Sequence, residues 1–217
     1  MNELANRTGT LQAPQLDYIL IDGSSSMMDK WWDSIGALDG FLDVLRSQNI
    51  NSQLILHTFD SQDMDCLQRD CLLKDVGPLA DIGAHWGMTP LYDAINLMTR
   101  RLAALDPPKC SIVIVTDGDD TSSRSTDVVQ ARALLDWCRA KGWQVTFIGA
   151  DFNNSRQAKL LGADESNSLG VQKVKLLEAG KALGVKRVRH AQTGDDINFS
   201  EDERKNFGGY LTNGNGS

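Results

Sequence analysis

The residues of this chain best suited to chemistry are oxygen donors, and they fall in three separated stretches. In YILIDGSSSMMDKWW, Tyr18 to Trp32, an apolar run ends in Asp22 and then in Ser24, Ser25 and Ser26. In HWGMTPLYDAI, Thr89 stands at the start of a helical pattern, and in CSIVIVTDGDD, Asp117 follows the most continuous β-branched run of the chain. Carboxylates and hydroxyls are hard donors, which suit Mg²⁺ or Mn²⁺ rather than zinc or copper. Alternate residues of an extended segment point the same way, so Ser24 and Ser26 can face one ion together, with Asp22 and Asp117 adding charge from neighbouring strand ends. Each stretch alone is ordinary: GSSS is a turn, Thr89 an N-cap, TDGDD a polar exit from a strand. Only their combination makes a site.

The elements that must position these residues alternate between strand and helix. Apolar runs at Leu16 to Ile21, Ser52 to Phe59, Cys110 to Val115 and Trp143 to Asp151 read as strands. Between them, Trp31, Ile35, Leu38, Leu42 and Leu45 form one helical stripe, and Thr89 as N-cap with Pro90 as first helical residue opens a helix to Leu105. Asp127 to Gly142 reads as a helix closed by glycine. DCLQRDCLLKDV is expected to be an edge strand or hairpin partner, NSRQAKLLGA a short helix and SNSLGV a last strand. VQKVKLLEAGKALGVKRVRH reads as a final helix interrupted by Gly180 and Gly184, and Ser200 with Glu203 forms a capping box. This pattern predicts an α/β fold with a doubly wound, mostly parallel central sheet and helices on both faces. In such sheets ligands bind beyond the carboxyl ends of the strands, where the strand order reverses.

The ordered motifs resemble the von Willebrand factor A (vWA) domain, a Rossmann-like fold. Asp-x-Ser-x-Ser is Asp22, Ser24 and Ser26; the Gly-x-Thr-Pro-Leu-x-Asp-Ala-Ile helix start runs from Gly87 to Ile95; Thr-Asp-Gly is Thr116 to Gly118. The resemblance covers Leu16 to Val171 and implies a metal-ion-dependent adhesion site (MIDAS) built from Asp22, Ser24, Ser26, Thr89 and Asp117. It further implies that some of these residues touch the ion directly and others through water, and that one coordination position is left for an Asp or Glu of a protein partner. Two departures stand out: Ser25 and Met88 occupy positions where the family often has glycine. Asp119 and Asp120 add charge beside the site, and His85 and Trp86 lie in the turn before Thr89, at its rim.

Composition sets further bounds. The chain has 217 residues, 41% hydrophobic and 24% charged, with a net charge of −7. That suits one compact domain and disfavours nucleic-acid or anionic-membrane binding. The expected division is an N-terminal extension over 1–15, a vWA-like domain over 16–190, and a C-terminal extension over 191–217 with a short helix and a disordered tail. No signal-peptide core and no membrane-spanning run is visible, so a cytoplasmic protein of bacterial or phage type is expected. Cys66, Cys71, Cys110 and Cys138 read as reduced thiols. Trp31 reads as core, Trp32 as half exposed, His57 as a packed strand residue, and Lys186, Arg187, Arg189 and His190 as a solvated helix end.

Three functions compete. The first is a metal-dependent protein-binding module, for which the resemblance implies scaffold or recruiting subunits, including partners of AAA+ ATPases or of other complexes. The second is a Mg-dependent phosphotransferase resembling the haloacid dehalogenases, with Asp22 as nucleophile, Thr116 as phosphate-binding hydroxyl, and Asp119 and Asp120 as metal ligands. Against it, Ser24 stands where that family carries a second Asp as general acid. The third is a metal-free scaffold.

Overall fold

The computed structural model describes residues 15–150 and 154–208. Six strands form one sheet in the order β3-β2-β1-β4-β5-β6: β1 (Gln15–Asp22), β2 (Ser52–Phe59), β3 (Cys66–Leu72), β4 (Cys110–Val115), β5 (Gln144–Ala150) and β6 (Ser168–Val171). All neighbouring pairs are parallel except β2 with β3, which is the antiparallel edge expected of DCLQRDCLLKDV. The helices are α1 (Trp31–Ser47), α2 (Leu91–Leu105), α3 (Val128–Ala140), α4 (Asn154–Leu160), α5 (Leu176–Thr193) and α6 (Glu201–Phe207). One face of the sheet buries Ile19, Ile21, Val113 and Val115 beneath α1, α5 and α6; the other buries Leu20, Ile112 and Ile114 beneath α2, α3 and α4. The central strands are apolar on both sides because both faces are covered. The tail after Gly208, the extension before Gln15 and Asp151 of the fifth strand-end loop lie outside the described residues.

Two sequence expectations about the C-terminal region are corrected. Gly180 and Gly184 do not interrupt α5, which runs unbroken to Thr193. They let α5 lie directly on α1: a Cβ at Gly180 would stand 2.0 Å from the Ala37 carbonyl oxygen, and one at Gly184 would stand 3.0 Å from that of Phe41. Nor are all four residues of the basic run solvated. Arg187 is buried and pairs with buried Asp17 of β1, its Nε 2.6 Å from Oδ1, and His190 is also buried. Lys186 reaches Glu203 of α6, and only Arg189 lies mostly in solvent. An arginine one position off the solvent face of a helix has no distinguishing mark in a sequence; its carboxylate partner is 170 residues away.

His57 is more than packed. Arg101 approaches its Nε2 at 2.5 Å and, being a guanidinium, can only donate, so Nε2 accepts and the ring proton sits on Nδ1, which donates to the Tyr18 hydroxyl at 2.9 Å. Burial, and next the Arg101 charge, lower its pKa to about 4.

Gly180→Ala should therefore lower stability by ~3 kcal/mol through overpacking against backbone, while Gly36→Ala, where nothing lies within 4 Å, should be neutral or stabilising; urea unfolding of both tests the α1–α5 contact. A histidine with depressed folded pKa is protonated first in the unfolded chain, so its contribution to stability falls as pH drops from about 6.5 to about 4. His57→Gln should lose less stability than the wild type across that window, read from unfolding midpoints at each pH.

Candidate metal centre

The strand order reverses between β1 and β4: β1 continues to β2 on one side, while β4 and the strands after it lie on the other. The parallel register sets Ile21 opposite Val115, so the chain leaves both strands side by side, through Asp22 and through Thr116 and Asp117. Asp22 is fully buried. Its Oδ1 accepts the Ser24 amide at 2.9 Å and its Oδ2 the Thr116 hydroxyl at 2.8 Å, which ties the two strand ends together. Burial pushes the Asp22 carboxyl up to about 6; the bonds from Ser24 and Thr116 oppose that rise, and the nearby Asp117 charge adds to it.

Above this carboxylate the side chains of Ser24, Ser26 and Asp117 form a chain. Ser24 Oγ lies 3.0 Å from Ser26 Oγ, and Ser26 Oγ donates to Asp117 Oδ1 at 2.8 Å. The two hydroxyls do come together, Ser24 buried and Ser26 exposed, but Ser25–Met27 form a 3-10 turn that begins after extended Ser24, so a turn and not the expected extended alternation brings them to one side. The other oxygen of Asp117 is held by Lys30, whose Nζ stands 2.6 Å from Oδ2. Lys30 precedes α1 and went unnoticed in the sequence, where a lysine after a turn carries no signal of its partner.

Thr89 is buried beside these loops, but it is not the N-cap. Helix α2 begins at Leu91 with Pro90 in the capping position and no side-chain cap of its own. Its free amides are taken from the loop after β4: Asp120 accepts from Tyr92 N and Ser123 Oγ accepts from Asp93 N. Asp93 in turn accepts the Ser125 hydroxyl and the amides of Arg124 and Ser125; burial raises its pKa, and these bonds outweigh that and lower it. Capping from a distant loop releases the Thr89 hydroxyl from that task, and the Thr89 backbone bridges the loops instead. Its amide donates to Thr121 Oγ1 at 3.0 Å and its carbonyl accepts from Thr121 N at 2.8 Å. On the other side, Gly87 pairs with Ser24, and its carbonyl accepts from Ser25 N at 2.9 Å. The turn from Gly87 to Thr89 is thus tied to the DGSSS loop through Gly87 and to the segment after TDGDD through Thr89.

The rim differs from expectation in detail. Asp119 is exposed, whereas Asp120 is turned onto α2. Trp86 is half-buried in a left-handed conformation (φ 63°), donates its amide to the Gly23 carbonyl just after β1 and packs edge-on against Trp31 of α1. His85 is exposed and anchored through its amide to Asp60. Asp60, unremarked in the sequence, is buried and accepts amides from Gln62, Asp63 and His85, fixing the loop after β2 against the turn that leads to Thr89. The apolar side chains of Met28 and Met88 flank the site in solvent.

Among the described residues no three His, Cys, Asp or Glu side chains gather as a metal cluster. The donors here are two carboxylates and several hydroxyls. That composition fits a hard cation that keeps part of its water shell and does not fit zinc.

Sequence comparison alone gives no relative: no family model and no curated protein matches the chain. Solved structures do match. The vWF domain of the type V pili tip protein Mfa5 from Porphyromonas gingivalis superposes with a TM-score of 0.65 at 12% identity, over 84% of this chain and 97% of that one. The pilus adhesin SpaC from Lactobacillus rhamnosus GG gives 0.63 at 11% identity, over 84% of this chain but only 31% of SpaC. The mussel byssus proximal thread matrix protein 1 gives 0.53 at 19% identity, over 81% of this chain and 46% of that one. The chain has a vWA-like fold. It spans about a third of SpaC and nearly the whole vWF domain of Mfa5.

Because Asp120 caps α2, Asp120→Ala should cost ~1 kcal/mol of stability, as loss of a cap does, and leave any cation affinity within about twofold of wild type. Chemical unfolding and metal titration of the same variant read both.

Proposed function

We propose that this chain is a metal-dependent protein-binding module, and that Asp22, Ser24, Ser26, Thr89 and Asp117 hold Mg²⁺ or Mn²⁺. The observation that carries this reading is the run of hydroxyl and carboxylate oxygens from Ser24 through Ser26 to Asp117, set over the buried carboxylate of Asp22 at the switch point of a vWA-like sheet. A bound cation supplies a hard positive charge with an exchangeable water that an Asp or Glu of a protein partner replaces. Asp22 adds charge from beneath while its two hydrogen bonds keep the loop in shape. Ser24, Ser26 and Asp117 present their oxygens from above, and Thr89 closes the side between the two loops. Met28 and Met88 offer apolar contact to whatever surrounds the partner's carboxylate.

The phosphotransferase reading loses its parts to the same geometry. Asp22 is fully buried with a donor on each oxygen, a poor position for in-line attack on phosphorus. Thr116 spends its hydroxyl on Asp22, Asp120 caps α2 and Asp119 is exposed. A binding role without catalysis is therefore the reading we adopt.

The solved neighbours include a pilus adhesin and a pili tip protein, which favours recognition of another protein as the task. For this chain we propose a cytoplasmic recruiting or scaffold subunit, with an AAA+ ATPase or another complex subunit as the partner, as the vWA resemblance implies. No described helix is long and apolar enough to cross a membrane.

Calorimetric titration of metal-stripped protein with Mg²⁺, then Mn²⁺, tests the site. Saturable binding is expected, lost in Asp22→Ala and Asp117→Ala, with the melting temperature of Asp117→Ala in chelator within a few degrees of wild type. Equal binding by Asp117→Ala, or none by the wild type, overturns the reading.

A further inference from the structure

Lys30 stands in an unusual place for a lysine. It is the residue before α1, where the free amides of the helix end carry partial positive charge and an acidic side chain is the favoured neighbour. What holds it there is Asp117, 2.6 Å from its Nζ, a carboxylate whose side chain is only 2% exposed while that of the lysine is 18% exposed. The remaining oxygen of Asp117 takes the Ser26 hydroxyl at 2.8 Å. Both oxygens of the most accessible carboxylate at the candidate centre are therefore held by donors from one short segment, Ser26 to Lys30.

We propose that Lys30 is a tethered cation that competes with the divalent metal for Asp117, so that the metal affinity of this chain is set by release of its own lysine. The proposal rests on the cation-site reading above. Asp22 and Asp117 together carry two negative charges, which one divalent ion balances. An ammonium left against Asp117 would face that ion as a like charge, so metal entry requires Lys30 to leave. Its four-carbon stem and partial exposure give it a path to water without moving the backbone of α1. Free of that competitor, the same donors would bind the ion more tightly. With it, the site responds to metal by exchanging one cation for another, and the amine is uncovered when the metal is bound.

The test is titration of Lys30→Met, Lys30→Gln and Lys30→Arg with Mg²⁺ and Mn²⁺ beside the wild type, with melting temperatures in chelator as the check on folding. Loss of the charge in Lys30→Met and Lys30→Gln should tighten the Kd by ~10-fold or more, the scale of a partly buried ion pair, and Lys30→Arg should stay near wild type. Acylation of Lys30 by an amine-reactive ester, read by peptide mass spectrometry, should rise when Mg²⁺ saturates the wild type. Unchanged or weaker binding by both neutral variants while the wild type saturates overturns the lysine's role and leaves the cation site standing, as does acylation that metal does not change. No saturation in the wild type or in any variant overturns both.

Discussion

The carboxylate of Asp22 joins the two central strands at the point where they part. Its burial carries a desolvation cost that two hydrogen bonds offset, one from the Ser24 amide and one from the Thr116 hydroxyl. The Ser24 amide is local, but the Thr116 hydroxyl is within reach only because β1 and β4 run parallel with Ile21 opposite Val115. A slip of one residue would carry Thr116 to the other face of the sheet and leave a buried charge without one of its partners. The register is guarded by apolar side chains: Ile19, Ile21, Val113 and Val115 belong to one core, and Leu20, Ile112 and Ile114 to the other. The geometry of the polar site is thus specified by the apolar side chains of the strands that lead into it.

The same strand carries a buried carboxylate at each end, and the two are treated differently. Asp17 meets Arg187, which donates through Nε and Nη2, and Ser52 adds a hydroxyl, so its charge is balanced within the fold. That pair pins α5, and α5 holds α1 through backbone contact at Gly180 and Gly184. Asp22, by contrast, receives an amide and a hydroxyl, and Lys30 pairs with the neighbouring Asp117 instead. One end of β1 is electrostatically complete and serves packing. The other is held in shape by neutral donors, which leaves it suited to a cation from outside.

The sequence made the core and the ligand candidates legible because both depend on local pattern. Continuous apolar runs placed β1, β2, β4 and β5, and the helical stripe from Trp31 to Leu45 placed α1. Asp22, Ser24 and Ser26 could be read together because they lie within five consecutive residues. Partnerships between distant segments were not legible. Lys30 with Asp117, Arg187 with Asp17, Asp120 on α2 and Asp60 with His85 join positions from 25 to 170 residues apart. Nothing in the type or spacing of such residues identifies the partner. The shift of the α2 start from Pro90 to Leu91 has the same origin: a threonine before proline is a good cap by local rules, yet a loop from the next strand supplies the capping groups instead.

That displaced cap bears on how the site would treat a partner. A third carboxylate aimed at the ion would raise affinity for the cation but leave the complex negatively charged, and an incoming Asp or Glu would meet repulsion. By turning onto the amide of Tyr92, Asp120 contributes its charge to the helix end. Two carboxylates would then, on the proposed function, balance one divalent ion, and the hydroxyls of Ser24, Ser26 and Thr89 would add donors without adding charge. On the proposed function, a neutral cation complex with a replaceable water is the arrangement that favours a partner's carboxylate over water, because the new ligand brings the only uncompensated charge. The hydroxyl-rich composition of the site follows from that requirement, as does the use of a neighbouring loop, rather than Thr89, to cap α2.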